Sequence, residues 1–488
     1  MSISMDCDES PSLHIVLLPL MAQGHIIPML DMAKLLSKRG VRISIILTPL
    51  TASRFHRAAS NSNIRLLTVR FPCEEAGLPP GCESAELLPS FTLLPNFLNA
   101  IDLLQKPIES LLHRLSPPPS SLICDKHILW TLQTTTTFNI PRILFDGMSC
   151  FTQVVTHHIY ASKIHQTLPP THLFTVPNLP NNNIQFSQSQ LPGLFNPGPT
   201  DVKGYRERLK ETEALSYGLV VNTFQELENG YVDEFRKLGR GKIWCIGPLS
   251  LTLSLSLSDD DANTISDHDC LKWLDDKKPG TVVYACLGSL SRLSRAQFTE
   301  LALGLEETGR DFMLVVKFDA EIERWIDEDG IEARVEGRAF LLRGWAPQVA
   351  ILRHPAVGGF LTHCGWNSTL EGISAGVPMV TWPLFAEQFL NEKVVVEVHE
   401  IGVRVGARGV VHLGVEERDE DRVGRDGIRE AVERVMDEGE EGCERRKRAK
   451  ELGEMARRSV KEGGSSYQNI TCLIQDIANS MMGHSSTN

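Results

Sequence analysis

The feature that most constrains this chain is a strand–helix–strand pattern that occurs in both of its halves. His14–Pro19 (HIVLLP) is a near-continuous apolar run, residues 26–38 carry apolar side chains at helical spacing up to Gly40, and residues 41–48 (VRISIILT) turn apolar again. Apolar strands on either side of an amphipathic helix predict a parallel βαβ unit. The loop Met21-Ala22-Gln23-Gly24-His25 then sits at the carboxyl edge of a strand, where doubly wound sheets place their ligands. The pattern returns at residues 281–287 (TVVYACL), turns at Gly288-Ser289, and enters a helix that opens with Ser294 and Gln297 in capping-box spacing. Phe298, Leu301, Ala302 and Leu305 mark the inner face of that helix, and Gly309 closes it. Further short strands are expected at residues 122–125, 142–145, 218–223, 243–248, 312–317 and 339–342. At 488 residues the chain is long for one core, so the expected fold class is α/β with two Rossmann-like domains, parallel sheets flanked by helices.

The run LSLTLSLSLSDDDANT at residues 249–264 interrupts the pattern and reads as a Ser-rich linker. The expected division is residues 1–248, a linker at 249–268, a second domain at 269–465, and a last helix with a tail at 466–488. Ile470, Leu473, Ile474 and Ile477 give that last helix an apolar face. Residues 1–12 read as a polar lead-in, and residues 166–200, rich in Pro, Asn and Gln, as long surface loops. A net charge of −12 argues against nonspecific nucleic-acid binding, which needs a basic face. Eleven cysteines without a CxxC pair suit free thiols in a reducing compartment. No apolar run approaches the 18 or so residues of a membrane span, and Ile15–Leu20 is too short for a signal sequence, so the cytosol is expected.

The densest chemistry lies in residues 345–388, WAPQVAILRHPAVGGFLTHCGWNSTLEGISAGVPMVTWPLFAEQ, where only Arg353, Glu371 and Glu387 carry a formal charge. A buried strand (VGGFLT) breaks at Gly365, and Asn367 to Glu371 reads as a helix start, with Ser368 and Glu371 in capping-box spacing. Strand, glycine turn and helix N-terminus make an anion site, because backbone N–H groups and the helix dipole face the loop. His363, Asn367 and Ser368 add side-chain donors there, Glu371 can accept from a sugar hydroxyl, and Trp345 offers a flat face for a base. In the first half, His25 on a strand-edge loop is a candidate general base, since imidazole titrates near working pH. Such a base is commonly oriented by a carboxylate; Asp125, ending LICD, is the candidate, with Lys126 as a competing partner for it.

In length and residues, the 345–388 segment resembles the donor-binding box of plant UDP-dependent glycosyltransferases of small metabolites. The resemblance implies the GT-B fold: two facing Rossmann-like domains, acceptor mainly in the first, UDP-sugar in the second, and a last helix packing back on the first. It implies that Trp345 stacks on uracil and Glu371 holds the ribose. It further implies that Ser289, His363, Asn367 and Ser368 bind the diphosphate and that Trp366, Glu387 and Gln388 contact the sugar. Ala346 and Gln348 complete the donor-binding set, and a final Gln leans toward glucose. His25 with Asp125 would deprotonate an acceptor hydroxyl that attacks C1 of UDP-glucose, giving a β-glucoside with inversion. The run Phe385–Glu392 resembles the branch acting on flavonoids, terpenoids and plant hormones. No metal or other cofactor is expected, since the DxD patterns at Asp6, Asp267, Asp327 and Asp419 lie in polar segments rather than after a buried strand. A monomer with no membrane span is expected. The alternatives are a UDP-sugar epimerase of the same fold and a catalytically silent binder; neither glycine loop has the GxGxxG spacing of a nicotinamide dehydrogenase.

Overall fold

The computed structural model describes residues 13–60, 64–181, 183–198, 204–239, 241–253, 265–316, 320–413, 415 and 418–485. Two parallel sheets organise it. The first half supplies β1 (His14–Leu18), β2 (Arg42–Leu47), β3 (Ile64–Thr68), β4 (Ser121–Asp125) and β5 (Arg142–Asp146). A separate antiparallel pair follows, β6 (Phe174–Thr175) and β7 (Gln185–Phe186), and then β8 (Gly218–Val221) and β9 (Lys242–Cys245) return to the sheet. The order is β3-β2-β1-β4-β5-β8-β9, all parallel. The second half supplies β10 (Val282–Cys286), β11 (Asp311–Val316), β12 (Ala339–Arg343), β13 (Val357–Thr362), β14 (Met379–Thr381) and β15 (Gly402–Arg404). Its order, β12-β11-β10-β13-β14-β15, repeats the doubly wound plan. The central strands are apolar on both faces because helices cover both, and β1, β4, β5 and β13 are buried along their whole length.

Register then decides what meets at the carboxyl edges. Leu17 and Leu18 of β1 lie opposite Ile123 and Cys124 of β4, so the loop carrying His25 and the end of β4 at Asp125 become neighbours, 100 residues apart in sequence. In the second sheet Cys286 lies opposite Thr362, which sets Gly288-Ser289 beside His363. Both meetings fall where strand order reverses, between β1 and β4 and between β10 and β13. That is the switch point at which such sheets bind ligands.

Several expectations change. β3, β14 and β15 were not foreseen: β3 lacks a strict alternation of buried and exposed positions, and the other two have three residues each, too few to show a period. Residues 166–200 are not only surface loop, because they include β6 and β7 and bury Phe186, Leu191 and Phe195. Most of the linker read at 249–268 lies outside the described residues, but Leu249 is fully buried and Ser250–Leu253 is helical. The lead-in at residues 1–12 also lies outside the described residues. Ser294 does cap its helix, accepting from the N–H of Gln297, yet the Gln297 side chain turns to both backbone groups of Val423 instead of closing the box.

The last helix, Ser465–Ser485, lies against β9. Asp476 accepts from Trp244 Nε1 at 3.1 Å and pairs with Lys242, while its carbonyl accepts from the Tyr217 hydroxyl at 3.1 Å. Ile470, Leu473 and Ile477 are buried and Ile474 is half-buried, the face that the spacing predicts. Replacing Leu473, 0% exposed, with Ala should therefore cost about 2–5 kcal/mol. Ile474→Ala should cost about half of that or less. Urea denaturation of the two variants checks the order.

Candidate functional site

His25 lies in the first turn of the helix Gln23–Ser37, directly after the β1 loop. Its Nδ1 is 2.6 Å from Asp125 Oδ2, and its side chain is 31% exposed while that of Asp125 is 1% exposed. Asp125 Oδ1 accepts from the backbone N–H of His127 at 2.9 Å and meets His127 Nδ1 at 2.8 Å. Burial opposes the charge on Asp125, but the charge and hydrogen bonds of the two histidines outweigh it and hold its carboxyl far below the usual range. An ionised carboxylate only accepts, so both Nδ1 atoms carry the proton, and the other nitrogen of His25 carries the lone pair. Burial also lowers the pKa of His25, yet Asp125 outweighs it, with Glu86 and Glu387 adding to the pull, and the pKa ends above its ordinary value. Lys126 does not compete for Asp125: its Nζ lies 2.9 Å from Asp146 Oδ2, at the end of the neighbouring strand β5. His25, Asp125 and His127 form the one group of potential metal ligands found among the described residues, and their hydrogen bonds already account for that spacing.

The second half presents the complementary edge. The helix that follows β13 is Trp366–Ala375, with Gly365 at its N-cap and no side-chain cap. Its first N–H groups therefore have no intrahelical acceptor and face the loop. This overturns the capping reading of Ser368: the helix begins two residues before it, and Ser368 accepts instead from Gln348 Nε2 at 3.0 Å. The same Gln348 amide donates to Glu371 Oε2 at 2.6 Å. Burial pushes the Glu371 carboxyl up to about 7 against that bond and Arg353. His363 is packed so closely over the preceding loop that a Cβ on Gly288 would lie 2.6 Å from its ring. Gly288 also has φ +82, so both space and backbone require glycine there. Burial lowers His363 to about 4, and its Nδ1 is a buried polar atom without a protein partner. Ser289 is exposed beside it, Trp345 is 57% exposed, and Ala346 is buried.

Three residues of the donor set are held by protein contacts instead. The indole of Trp366 is 2% exposed and donates to Asn222 O at 2.8 Å, so only its backbone remains to meet a sugar. Both side-chain polar atoms of Asn367 reach the first half: Nδ2 donates to Gly24 O at 2.6 Å, and Oδ1 accepts from Asn222 at 3.3 Å. Gln388 is buried, its Oε1 accepting from the N–H groups of Leu384 and Phe385. Glu387 is half-buried, and burial raises its carboxyl above the usual range.

Four residues that meet at the site were not foreseen. His127 stands two residues after Asp125, beside Lys126, with no sequence signal of its own. Glu86 accepts from Gln23 N at 2.6 Å and belongs to the one-turn 3₁₀ helix Ala85–Leu87, too short to show a period. Asn222 ties Trp366 and Asn367 to the first half. Asn391 is fully buried; it donates to Cys364 O at 2.9 Å and to Glu387 at 3.4 Å, and it accepts from Ser149 and Thr152 across the halves.

Two doubly wound sheets, meeting edge to edge with an oriented histidine on one side and an anion-ready helix end on the other, define a group-transfer enzyme. Residues 11–251 match the family described as glycosyltransferase, N-terminal domain, and residues 267–417 match UDP-glucoronosyl and UDP-glucosyl transferase. UDP-glycosyltransferase 73E1 of Stevia rebaudiana is 47% identical over 479 residues, 96% of each chain. UDP-glycosyltransferase 73C6 of Arabidopsis thaliana is 44% identical over 483 residues, 96% of this chain and 97% of its own. The crystal structure of Glycyrrhiza uralensis UGT73P12 complexed with glycyrrhetinic acid 3-O-monoglucuronide is similar at a TM-score of 0.90 and 32% identity, covering 97% of both chains. That of Arabidopsis thaliana UGT89C1 complexed with UDP-L-rhamnose gives 0.74 and 26%, covering 96% of this chain and 99% of its own. The chain belongs to the plant UDP-glycosyltransferases, transferases of GT-B fold that act on small metabolites.

If the Gly288 loop packs His363 against the donor, Gly288→Ala should weaken UDP binding by at least about tenfold through strain at positive φ and displacement of the ring. Titration calorimetry with UDP checks this, with circular dichroism confirming that the variant is folded.

Proposed function

We propose that this enzyme transfers glucose from UDP-glucose to a hydroxyl of a small lipophilic plant metabolite, of flavonoid, terpenoid or hormone-like type. The step is a single inverting displacement that gives a β-glucoside without a metal or other cofactor. The observation that carries the reading is the 2.6 Å contact between His25 Nδ1 and Asp125. With Nδ1 donating to the carboxylate, the other ring nitrogen takes the acceptor proton as its oxygen bonds to C1 and the bond from C1 to UDP breaks. General-base help of this kind contributes about 10²–10⁴-fold. Both oxygens of Asp125 are engaged, so it orients the base and stabilises the imidazolium rather than attacking the sugar.

The charge that leaves with UDP would be met by the free N–H groups at the start of the helix Trp366–Ala375, with His363 and Ser289 beside them. Of the DxD patterns, those at Asp267 and Asp327 lie on helices, the one at Asp419 forms a 3₁₀ turn, and those at Asp6 and Asp259 lie outside the described residues. That placement favours charge compensation by backbone and side-chain donors. Acceptor binding is assigned mainly to residues 1–248 and UDP-sugar binding to residues 269–465, with Trp345 on the base, Glu371 on the ribose and Glu387 and Gln388 on the sugar. The enzyme is taken to act as a monomer in the cytosol, consistent with its ten described cysteines being free thiols. Among the described residues no helix is long and apolar enough to cross a membrane.

Incubation with UDP-glucose and a panel of flavonols, triterpenoid alcohols, steroids and small phenols, read by mass spectrometry, tests the proposal. One acceptor should gain a hexose, at a rate indifferent to EDTA, and His25→Ala should lower that rate by at least about 100-fold. The base works only unprotonated, and Asp125 raises its pKa, so kcat/KM should fall as the pH drops through a value above the ordinary ~6.5 of histidine. Release of hexose without transfer, or loss of activity with EDTA, would count against the mechanism.

A further inference from the structure

Asp125 is 1% exposed, and a buried carboxylate stays ionised only where donors or positive charge surround it. The adjacent ammonium of Lys126 is committed to Asp146, and among the described residues no lysine or arginine pairs with Asp125. Its donors are histidines. Oδ2 faces His25 alone, whereas Oδ1 is held twice by one residue, through the backbone N–H of His127 at 2.9 Å and its ring Nδ1 at 2.8 Å. The backbone bond is an Asx turn, which closes the carboxylate against its own chain. The ring bond fixes the carboxylate plane. His127 is anchored in turn: its carbonyl accepts from the Tyr205 hydroxyl at 2.9 Å, and its ring meets that of His25 edge-on, with centroids 5.7 Å apart.

We propose that His127 is a positioning residue of the transfer reaction: its ring and backbone N–H hold one oxygen of Asp125 so that the other stays on His25. The proposal deepens the reading of His25 as the base and rests on it. Because two imidazoles share one carboxylate, the ring of His127 also draws off part of the charge that would otherwise favour protonation of His25. Removing that ring leaves the backbone bond, frees the carboxylate to tilt, and makes it a stronger acceptor for His25. The other groups facing His25 are Glu86 from the first half and Glu387 from the second. Tyr205 faces Asp125, with Asp102, Arg206 and Arg208 around Tyr205. A change at His127 substitutes none of these.

The test uses the full chain labelled with ¹⁵N-histidine, with imidazole signals followed through a pH titration and His25→Gln assigning the His25 signals. In His127→Leu, His25 should titrate about one pH unit higher than in the unsubstituted protein. His127→Asn places an amide N–H close to where Nδ1 stood and does not titrate, so it should bring His25 back to within a few tenths of a unit. With UDP-glucose and a triterpenoid alcohol, whose hydroxyl does not ionise in this range, kcat should fall about tenfold in His127→Leu and largely recover in His127→Asn. His127→Ala serves in place of the Leu variant should that one not fold. Coincident His25 titrations in all the proteins, or equal behaviour of the Leu and Asn variants, would overturn the proposal. Full turnover by His25→Gln would instead sink the base reading, and the titration would still report on His127.

Discussion

The site depends on one buried carboxylate whose charge is met by imidazoles. Asp125 closes β4, one strand over from the loop that carries His25, and the parallel register of β1 and β4 makes their contact a consequence of the fold. Had Lys126 paired with Asp125, a permanent charge would have held the carboxylate and weakened its pull on His25. Asp146, at the end of β5, takes Lys126 away, and Gln153 donates to Asp146 as well. The second buried ion pair thus isolates the first. Buried pairs contribute little net stability but do fix geometry, and geometry is what a base needs.

The carboxyl edge of the second sheet is bound to that of the first by a few direct contacts. Asn367 reaches the carbonyl of Gly24, the residue before His25, and Trp366 reaches Asn222. Asn391 joins the loop at Cys364, the acid Glu387 and the helix that begins at Cys150. Cys364 itself has φ +63, a left-handed conformation at a residue that is not glycine, held between a buried strand and a helix start. Strain of this kind persists only where surrounding contacts over-determine it, and it clusters at ligand sites. The residues that the resemblance assigns to the donor therefore divide. Ser289 and Trp345 are exposed and His363 and Glu371 half-buried, whereas Trp366, Asn367 and Gln388 hold the two halves and the loop in place.

The sequence made most of this fold legible. Long apolar strands beside amphipathic helices showed the two sheets, and the dense pattern at residues 345–388 showed the strand, glycine turn and helix start that close the second one. His25 and Asp125 were found because each stands at the end of a readable strand. What stayed hidden is what periodicity does not encode. The three-residue strands β14 and β15 have no period to read, and Glu86 sits on a one-turn 3₁₀ helix whose place is set by tertiary contacts. Ser368 was misjudged because capping-box spacing occurs inside helices as well as at their starts, and only the position of Gly365 decides between the two. His127 was overlooked because its role exists only once Lys126 has another partner, a fact of register between β4 and β5.

The proposed transfer requires that the two sheet edges place the anomeric carbon of the donor against His25. A crystal structure of the complex with UDP-2-deoxy-2-fluoroglucose tests it most directly. The diphosphate should lie at the start of the helix Trp366–Ala375 and C1 about 4–6 Å from the free ring nitrogen of His25, on the side away from the diphosphate, room for one acceptor oxygen. A sugar turned away from His25, or a diphosphate held elsewhere, would contradict it.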